Sequence, residues 1–369
     1  MAGIYIHIPF CRQACHYCNF HFATSLRGKN ELVAALLKEL ELQKDFLGNE
    51  PVETIYYGGG TPSLLSIPDL KLISDSIKQY FTIKTDVEIT LEANPDDIND
   101  EKLTGWKNTG TNRLSIGVQS FFDDDLKWMN RAHNAKQAVN SLQLAVSKFN
   151  NITIDLIYGT PLTTNEKWKS NVEKALEYKI PHLSCYALTV EEKTPLQKMI
   201  RDKKEQNVNP DIQSKQFLLL MQWLTDAGYE HYEISNFCQP GFRSRHNSSY
   251  WQGKKYLGIG PSAHSYNGKS RQWNVSNNNI YVESLKKEII PFEKEELTAT
   301  QKLNEYIMTS LRTMEGLDLN KLSKEEKQKI ESLSKKYIES GLMKNENKYL
   351  ILTREGKLLA DGIAAALFF

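Results

Sequence analysis

Three of the five cysteines in this 369-residue chain fall within eight residues, Cys11, Cys15 and Cys18 in HIPFCRQACHYCNFHF (7–22). Thiols this close in a chain with no disulfide framework point to metal binding or redox chemistry. The question is why there are three and not four. A structural zinc ion wants four protein ligands, and so does an iron–sulfur cluster held entirely by protein. Two chemistries stay open on these residues. His7, His16 or His21 could complete a Cys3His zinc site. Alternatively the three cysteines bind three irons of a [4Fe-4S] cluster and leave the fourth iron open to a small molecule. An open coordination position is what turns a metal centre from structural to catalytic. Cys185 and Cys238 stand far away without partner spacing, and Cys185, in an apolar run, reads as a small buried hydrophobe.

More polar residues sit where apolar runs end. In YYGGGTPSLL, Gly59 and Gly60 lack side chains, so a ligand can approach the backbone, and Thr61 follows directly. The same glycines would also serve a tight strand-to-helix turn. Glu92 in LEANP, Gln119 in GVQSF, Arg131 in MNRAH and Asp155 in DLIYGTP could each be ordinary polar satisfaction. Together they need elements that bring distant segments to one place.

Those elements are legible. Apolar or β-branched runs occur at 4–9, 53–59, 87–95, 113–121, 152–161 and 182–189. Helical periodicity lies between them, as with Leu32, Leu36, Leu40 and Leu47, or Val139, Leu142 and Val146. Six strand–helix repeats predict an α/β fold with a parallel sheet and helices outside. The near-continuous apolar strands predict burial on both faces. Such a fold carries its site at the carboxyl ends of the strands, where these polar residues fall. A long helix is predicted over 211–227, a strand-like stretch over 229–237, and then an irregular aromatic-rich segment. From about 298 the pattern of two helices and a hairpin suggests a small winged-helix-like tail. Its lysines alternate with glutamates in KLSKEEKQKIESLSKK, a solvated face and not a nucleic-acid-reading one.

The net charge of +1 gives no global pull toward nucleic acid or acidic lipid. No run approaches the ~18 apolar residues of a membrane span, and no basic-plus-apolar leader opens the chain. Five cysteines in a chain this long are not a disulfide framework, so a reducing cytoplasm is expected.

With its C-x3-C-x2-C loop after a first strand, and Tyr17 beside the last cysteine, the chain resembles the radical S-adenosylmethionine (SAM) superfamily. In that superfamily the open iron takes the amino and carboxylate groups of SAM, and an electron from the cluster breaks the sulfonium bond. Within it, YIHIPFC, GGGTPSLL, EANP, GVQSF, NRAH and DLIYGTP, in this order, resemble the oxygen-independent coproporphyrinogen III oxidase family along nearly the whole chain. The resemblance implies a partial (βα)6 barrel over 1–235, a connecting segment over 236–297, and a small, mainly helical HemN-type domain over 298–369. It implies a [4Fe-4S] cluster on Cys11, Cys15 and Cys18. It makes Tyr5, Tyr17, Gly59, Gly60, Thr61, Glu92, Gln119, Arg131 and Asp155 contacts of SAM, and it calls for an electron donor.

Two departures matter. The oxidases carry a further cysteine two residues after the third, where this chain has Phe20, and they carry an extension before the first strand, whereas Tyr5 here is almost the start. Both departures, with HNSSYW (246–251), resemble the sister group of HemW-type heme chaperones. That resemblance implies heme as cargo, respiratory apoproteins as recipients, and membrane contact only through those partners. His246 is then a heme ligand, Tyr250 and Trp251 pack on the porphyrin, and Arg243 and Arg245 pair with propionates. His264 in PSAHSY is the alternative ligand should His246 not serve. The aromatics Tyr250, Trp251, Tyr256, Tyr266 and Trp273 could serve a homodimer interface as easily as a porphyrin. A radical decarboxylase of coproporphyrinogen III and a zinc-stabilised protein without radical chemistry are the competing readings.

Overall fold

A computed structural model gives the fold, and it describes residues 2–369. Six strands, β1 (Ala2–Ile8), β2 (Val52–Gly59), β3 (Ile83–Ala93), β4 (Arg113–Gln119), β5 (Ile152–Tyr158) and β6 (His182–Ala187), lie parallel and in sequence order. The chain returns between them through α1 (Lys29–Leu42), α2 (Ile67–Tyr80), α3 (Asp100–Asn108), α4 (Asp123–Trp128), α5 (Ala135–Lys148) and α6 (Asn165–Glu177). Helix starts are set locally: Ser66 with Asp69 and Asn134 with Gln137 form capping boxes at α2 and α5. After β6 come α7 (Pro195–Arg201), α8 (Pro210–Asp226) and the hairpin β7 (Glu230–Glu233) and β8 (Asn236–Cys238), which continues the sheet antiparallel to β6.

The stretch expected to be irregular is ordered. It forms α9 (Arg245–Trp251), β9 (Lys255–Ile259), β10 (His264–Tyr266), β11 (Ser270–Asn274), α10 (Asn278–Leu285) and β12 (Phe292–Glu296). β9 pairs parallel to β1, and β10–β12 extend that edge, so a single sheet runs β12-β11-β10-β9-β1-β2-β3-β4-β5-β6-β8-β7. Elements this short carry too few periods to be read from a sequence.

The strands alternate more strictly than the sequence suggested. Ile4, Ile6 and Ile8, Ile55 and Tyr57, Leu114 and Ile116, and Ile154 and Leu156 face the helices and form the main core. The other parity carries Tyr56, Glu92, Arg113, Ser115, Thr153, Asp155 and Ser184, which line the barrel's interior. The expected two apolar faces are therefore one apolar face and one buried polar lumen. Tyr, Thr and Gly on the inner face let the runs pass for continuous apolar stretches.

The C-terminal unit has its own core of Ile307, Leu311, Leu317, Ile330, Leu350, Leu352, Ile363 and Leu367. It consists of α11 (Ala299–Leu311), β13 (Leu317–Asp318), α12 (Lys324–Glu339), β14 (Met343–Glu346), β15 (Tyr349–Leu352) and α13 (Ala360–Ala366), with a three-stranded antiparallel sheet. Backbone bonds Ile234 N–H to Arg312 O (3.1 Å) and Met314 N–H to Tyr232 O (3.0 Å) dock it beside β7.

Candidate cofactor site in the barrel lumen

A cavity of about 450 Å3 fills the lumen, a size typical of small-molecule sites. At its mouth lies the loop after β1 with Cys11, Cys15, Tyr17 and Cys18; Gly59, Gly60, Thr61, Glu92, Gln119, Arg131 and Asp155 line the same space. The fold thus brings together eleven of the twelve residues expected to hold the cluster and SAM. Tyr5 is the exception. It sits one layer behind, its ring stacked on Tyr56 at 6.1 Å and its hydroxyl 3.2 Å from His7 Nδ1.

The cysteine loop is held largely by the segment that follows α4. His16 N–H donates to Met129 O (3.1 Å), Gln13 Nε2 to Asn130 Oδ1 (2.7 Å), and Asn130 Nδ2 to Ala14 O (2.7 Å). Arg131 Nη1 donates to Cys15 Sγ (3.3 Å), while Nη2 is fixed by Asn94 Oδ1 (2.6 Å) and Gly117 O (2.8 Å). The Thr61 hydroxyl lies 3.6 Å from Cys11 Sγ. On the other side Arg12 Nη2 donates to the fully buried Asp97 Oδ1 (2.8 Å), whose other oxygen accepts from Ser63 Oγ (2.9 Å). Gly60 runs against the start of this loop: a Cβ there would lie 2.6 Å from Phe10 O, so no larger residue fits. Gly59, at φ +109°, would push a Cβ to 2.7 Å from the His7 ring. The glycines therefore permit close packing of β2 on β1 as well as backbone approach from the lumen.

Burial pushes the Cys11 thiol up to about 11, with the other two cysteines adding to the shift, and burial raises Cys18 as well. Such thiols give up their protons to a metal, not to water. A lone zinc ion is poorly served. His7 is engaged by the Tyr5 hydroxyl and His21 O, His16 Nδ1 lies 2.9 Å from Trp128 O, and His21 Nε2 lies 2.7 Å from Asn278 Oδ1. Among the described residues, no three His, Cys, Asp or Glu side chains are gathered for one metal ion. Three thiols around a cavity mouth, with the lumen beyond, fit a cluster with an open position.

Deeper in, Glu92 accepts from the Tyr56 hydroxyl (2.8 Å) and is pushed up to about 8, first by burial and then by the charge of Asp155. Asp155 is itself raised by burial to about 6, against a hydrogen bond from Ser184. A polar lumen with weakly acidic carboxyl groups suits the hydroxyl, amino and sulfonium groups of a nucleoside-bearing cofactor. Gln119 reaches it through a bulge in β4, at φ 66°.

The residues expected to hold heme lie elsewhere. His246, on α9, is 1% exposed beneath the lumen; its Nδ1 is 2.8 Å from Thr54 Oγ1, its Nε2 is 2.9 Å from the Tyr250 hydroxyl, and its ring stacks on Tyr56 at 4.9 Å. Burial pushes it down to about 3, so it is neutral. Tyr250 and Trp251 line a second cavity of about 620 Å3 between the barrel and the C-terminal unit, together with Tyr256, Tyr266, Lys302 and Lys321. Arg243 is paired with Glu230 (3.0 Å) and Glu315 (2.6 Å), and Arg245 with Asp86 (3.3 Å). His264 is exposed and faces Trp273.

Sequence reasoning missed Arg12, Asn94, Asp97, Arg113 and Asn130. Only Arg113, a charged residue opening an apolar strand, carried a signal: its parity with Ser115, Gly117 and Gln119 aims it inward.

An open parallel barrel with three thiols at the mouth of a polar lumen defines a radical SAM protein. The profile of the Radical SAM superfamily matches residues 5–175, and that of the HemN C-terminal domain matches residues 297–359. The chain is 34% identical over 371 residues to heme chaperone HemW of Mycobacterium tuberculosis, covering 99% of this chain and 94% of that protein. It is 33% identical over 374 residues to heme chaperone HemW of Bacillus subtilis, covering 99% of each. Its fold matches coproporphyrinogen III oxidase (HemN) from Escherichia coli with a TM-score of 0.85 at 22% identity, over 100% of this chain and 90% of that one. This chain belongs to the HemW family of radical SAM proteins. Membership implies a [4Fe-4S] cluster and SAM as its cofactors.

Proposed function

We propose that this chain is a heme chaperone that holds a [4Fe-4S] cluster and SAM in the barrel and carries heme to respiratory apoproteins. The observation that carries the reading is end-to-end similarity to relatives named heme chaperone. The second, aromatic cavity supports it. The cluster on Cys11, Cys15 and Cys18, once bound, supplies an open iron for the amino and carboxylate groups of SAM and an electron for its cleavage. Arg131 steadies Cys15 and the lumen wall together. Glu92, Gln119 and Asp155 orient the rest of the cofactor.

Heme needs an apolar slot, cations for two propionates and an axial ligand. The cavity lined by Tyr250, Trp251, Tyr256 and Tyr266 supplies the slot, and Lys302 and Lys321 supply charge; Arg243 and Arg245 are already committed to carboxylates. Tyr250, backed by His246, faces the cavity and would meet the iron of a heme bound there. His246 would have to give up its bond to Tyr250 to ligate directly. No described helix is long and apolar enough to cross a membrane. The five unpaired thiols suit the reducing cytoplasm. The test is anaerobic hemin titration of the reconstituted protein, read by absorption. His246→Ala and Tyr250→Phe should both weaken heme binding and change its spectrum while iron and sulfide content stay constant. Unchanged spectra in both would remove the pair. Catalytic conversion of coproporphyrinogen III to protoporphyrinogen IX would overturn the chaperone reading.

A further inference from the structure

Arg113 is the first residue of β4, so it lies at the end of the lumen opposite the cysteine loop, and it lines the same cavity. It is 1% exposed. Nη2 donates to Thr153 Oγ1, whereas Nε has no partner. Among the described residues no carboxylate pairs with it; Asp155 is felt only at longer range. Thr90, its register partner on β3, is equally buried and its hydroxyl is also without a partner. Asp97, by contrast, is answered by Arg12 and Lys102, and Glu39 by three donors. An unanswered guanidinium in a closed lumen is costly unless something fills the place of the missing anion.

We infer that the lumen floor is a carboxylate-binding subsite built by Arg113, with the neighbouring Ser115 hydroxyl. A guanidinium edge and a hydroxyl match a planar carboxylate in size and donor number. A phosphate would bring nearly two charges to one cation. The ligand is an organic carboxylate, either a free acid or the acid arm of a larger molecule. The subsite lies apart from the thiols that hold the cluster and on the far side of α9 from the aromatic cavity, so it goes beyond the function proposed above.

The test uses the full chain with its cluster reconstituted anaerobically, and the variants Arg113→Gln and Arg113→Met. Thermal unfolding and calorimetric titration compare sodium propionate with propionamide at equal ionic strength, and hemin with its dimethyl ester. Propionate should raise the melting temperature of the parent protein while propionamide does not. Arg113→Gln should weaken carboxylate binding at least about tenfold. Arg113→Met removes the buried charge at similar volume, so it should melt no lower than the parent and show no carboxylate response. A response to propionate alone assigns a free acid. A loss on esterifying hemin that vanishes in Arg113→Gln assigns a propionate arm. Identical behaviour of the parent protein and Arg113→Gln toward every carboxylate would overturn the subsite, and so would an Arg113→Met protein that unfolds. If hemin fails to bind even the parent protein, the chaperone reading falls while the propionate arm still decides this one.

Discussion

Removing Asp97 should loosen the cluster loop although the residue touches no thiol. Asp97 is fully buried just after β3 and holds Arg12 at 2.8 Å, Lys102 at 3.4 Å and the Ser63 hydroxyl at 2.9 Å. Arg12 follows Cys11 directly, so this pair fixes one side of the loop. In Asp97→Ala the Arg12 head, about half exposed, keeps only the weaker contact of its Nε with Asp96 Oδ2 (3.5 Å), at a cost under ~1 kcal/mol. Lys102 keeps its bond to Ser63 O (3.0 Å). The buried Ser63 hydroxyl is left without an acceptor, at ~1–3 kcal/mol. The total is about 1–4 kcal/mol, read as a lower urea midpoint with unchanged slope in the cluster-free protein. Asp97→Asn can keep every heavy-atom contact, its oxygen toward Arg12 and its amide toward Ser63, so it loses only charge attraction, about 1 kcal/mol. Arg12→Ala should cost less stability than Asp97→Ala yet speed iron loss from the reconstituted protein by the same factor. If Asp97→Ala is destabilised but keeps iron as long as the parent protein, the Arg12 anchor does not set the loop, and the bonds from residues 129–131 suffice.

Each of Cys11→Ser, Cys15→Ser and Cys18→Ser should lose most iron after anaerobic reconstitution, because a harder oxygen ligand is a poor substitute for thiolate. Cys185→Ser and Cys238→Ser should retain it, since both cysteines are buried in the packed sheet far from the mouth; full iron in Cys18→Ser would contradict the assignment. Glu39 ties α1 to β9–β11 and α10, accepting from the Tyr281 hydroxyl, Asn274 Nδ2 and Gly260 N–H. Burial raises it from 4.5 to about 7, outweighing those donors. Its folded value lies above the unfolded one, so the stability it contributes is complete below pH ~4.5 and is lost as pH rises through about 7. Glu39→Gln should flatten that fall in melting temperature, and a difference between the two proteins that does not change with pH would refute the buried-acid account.

The sequence carried the barrel because β1 to β6 each have enough residues to show a run, and each is followed by a helix with a clear apolar face. It carried the cysteine loop because spacing alone makes that loop unusual. It carried the lumen residues less well. Glu92 and Asp155 stood out as acids in apolar runs, but Tyr56 and Thr153 look like ordinary strand formers, and only the closed barrel shows that their parity faces a cavity. Asp97 and Asn130 were invisible for another reason. Their roles depend on Arg12, 85 positions from Asp97, and on Gln13 and Ala14, 117 and 116 positions from Asn130, and no local pattern encodes such a partner. α9 was lost because seven residues give two helical turns, too few to separate from a loop.

The position of α9 has a consequence for how the two cavities can communicate. Asn247 lines the lumen while Tyr250 and Trp251, one turn on, line the aromatic cavity, so this short helix is the wall between them. His246 sits within that wall, its ring on Tyr56 and its Nε2 at the Tyr250 hydroxyl, and Tyr56 in turn donates to Glu92 in the cofactor lumen. A ligand that repositions Glu92 therefore acts on a chain of direct contacts that ends at Tyr250 in the aromatic cavity. The affinity for hemin should then differ between protein with and without SAM, and thermodynamic reciprocity requires hemin to change SAM affinity by the same factor. Tyr56→Phe removes the hydroxyl that joins the chain to Glu92 and keeps the ring that stacks on His246. It should abolish the mutual effect while leaving each ligand able to bind alone. Equal hemin affinity with and without SAM in the parent protein would show that α9 separates the two sites without linking them.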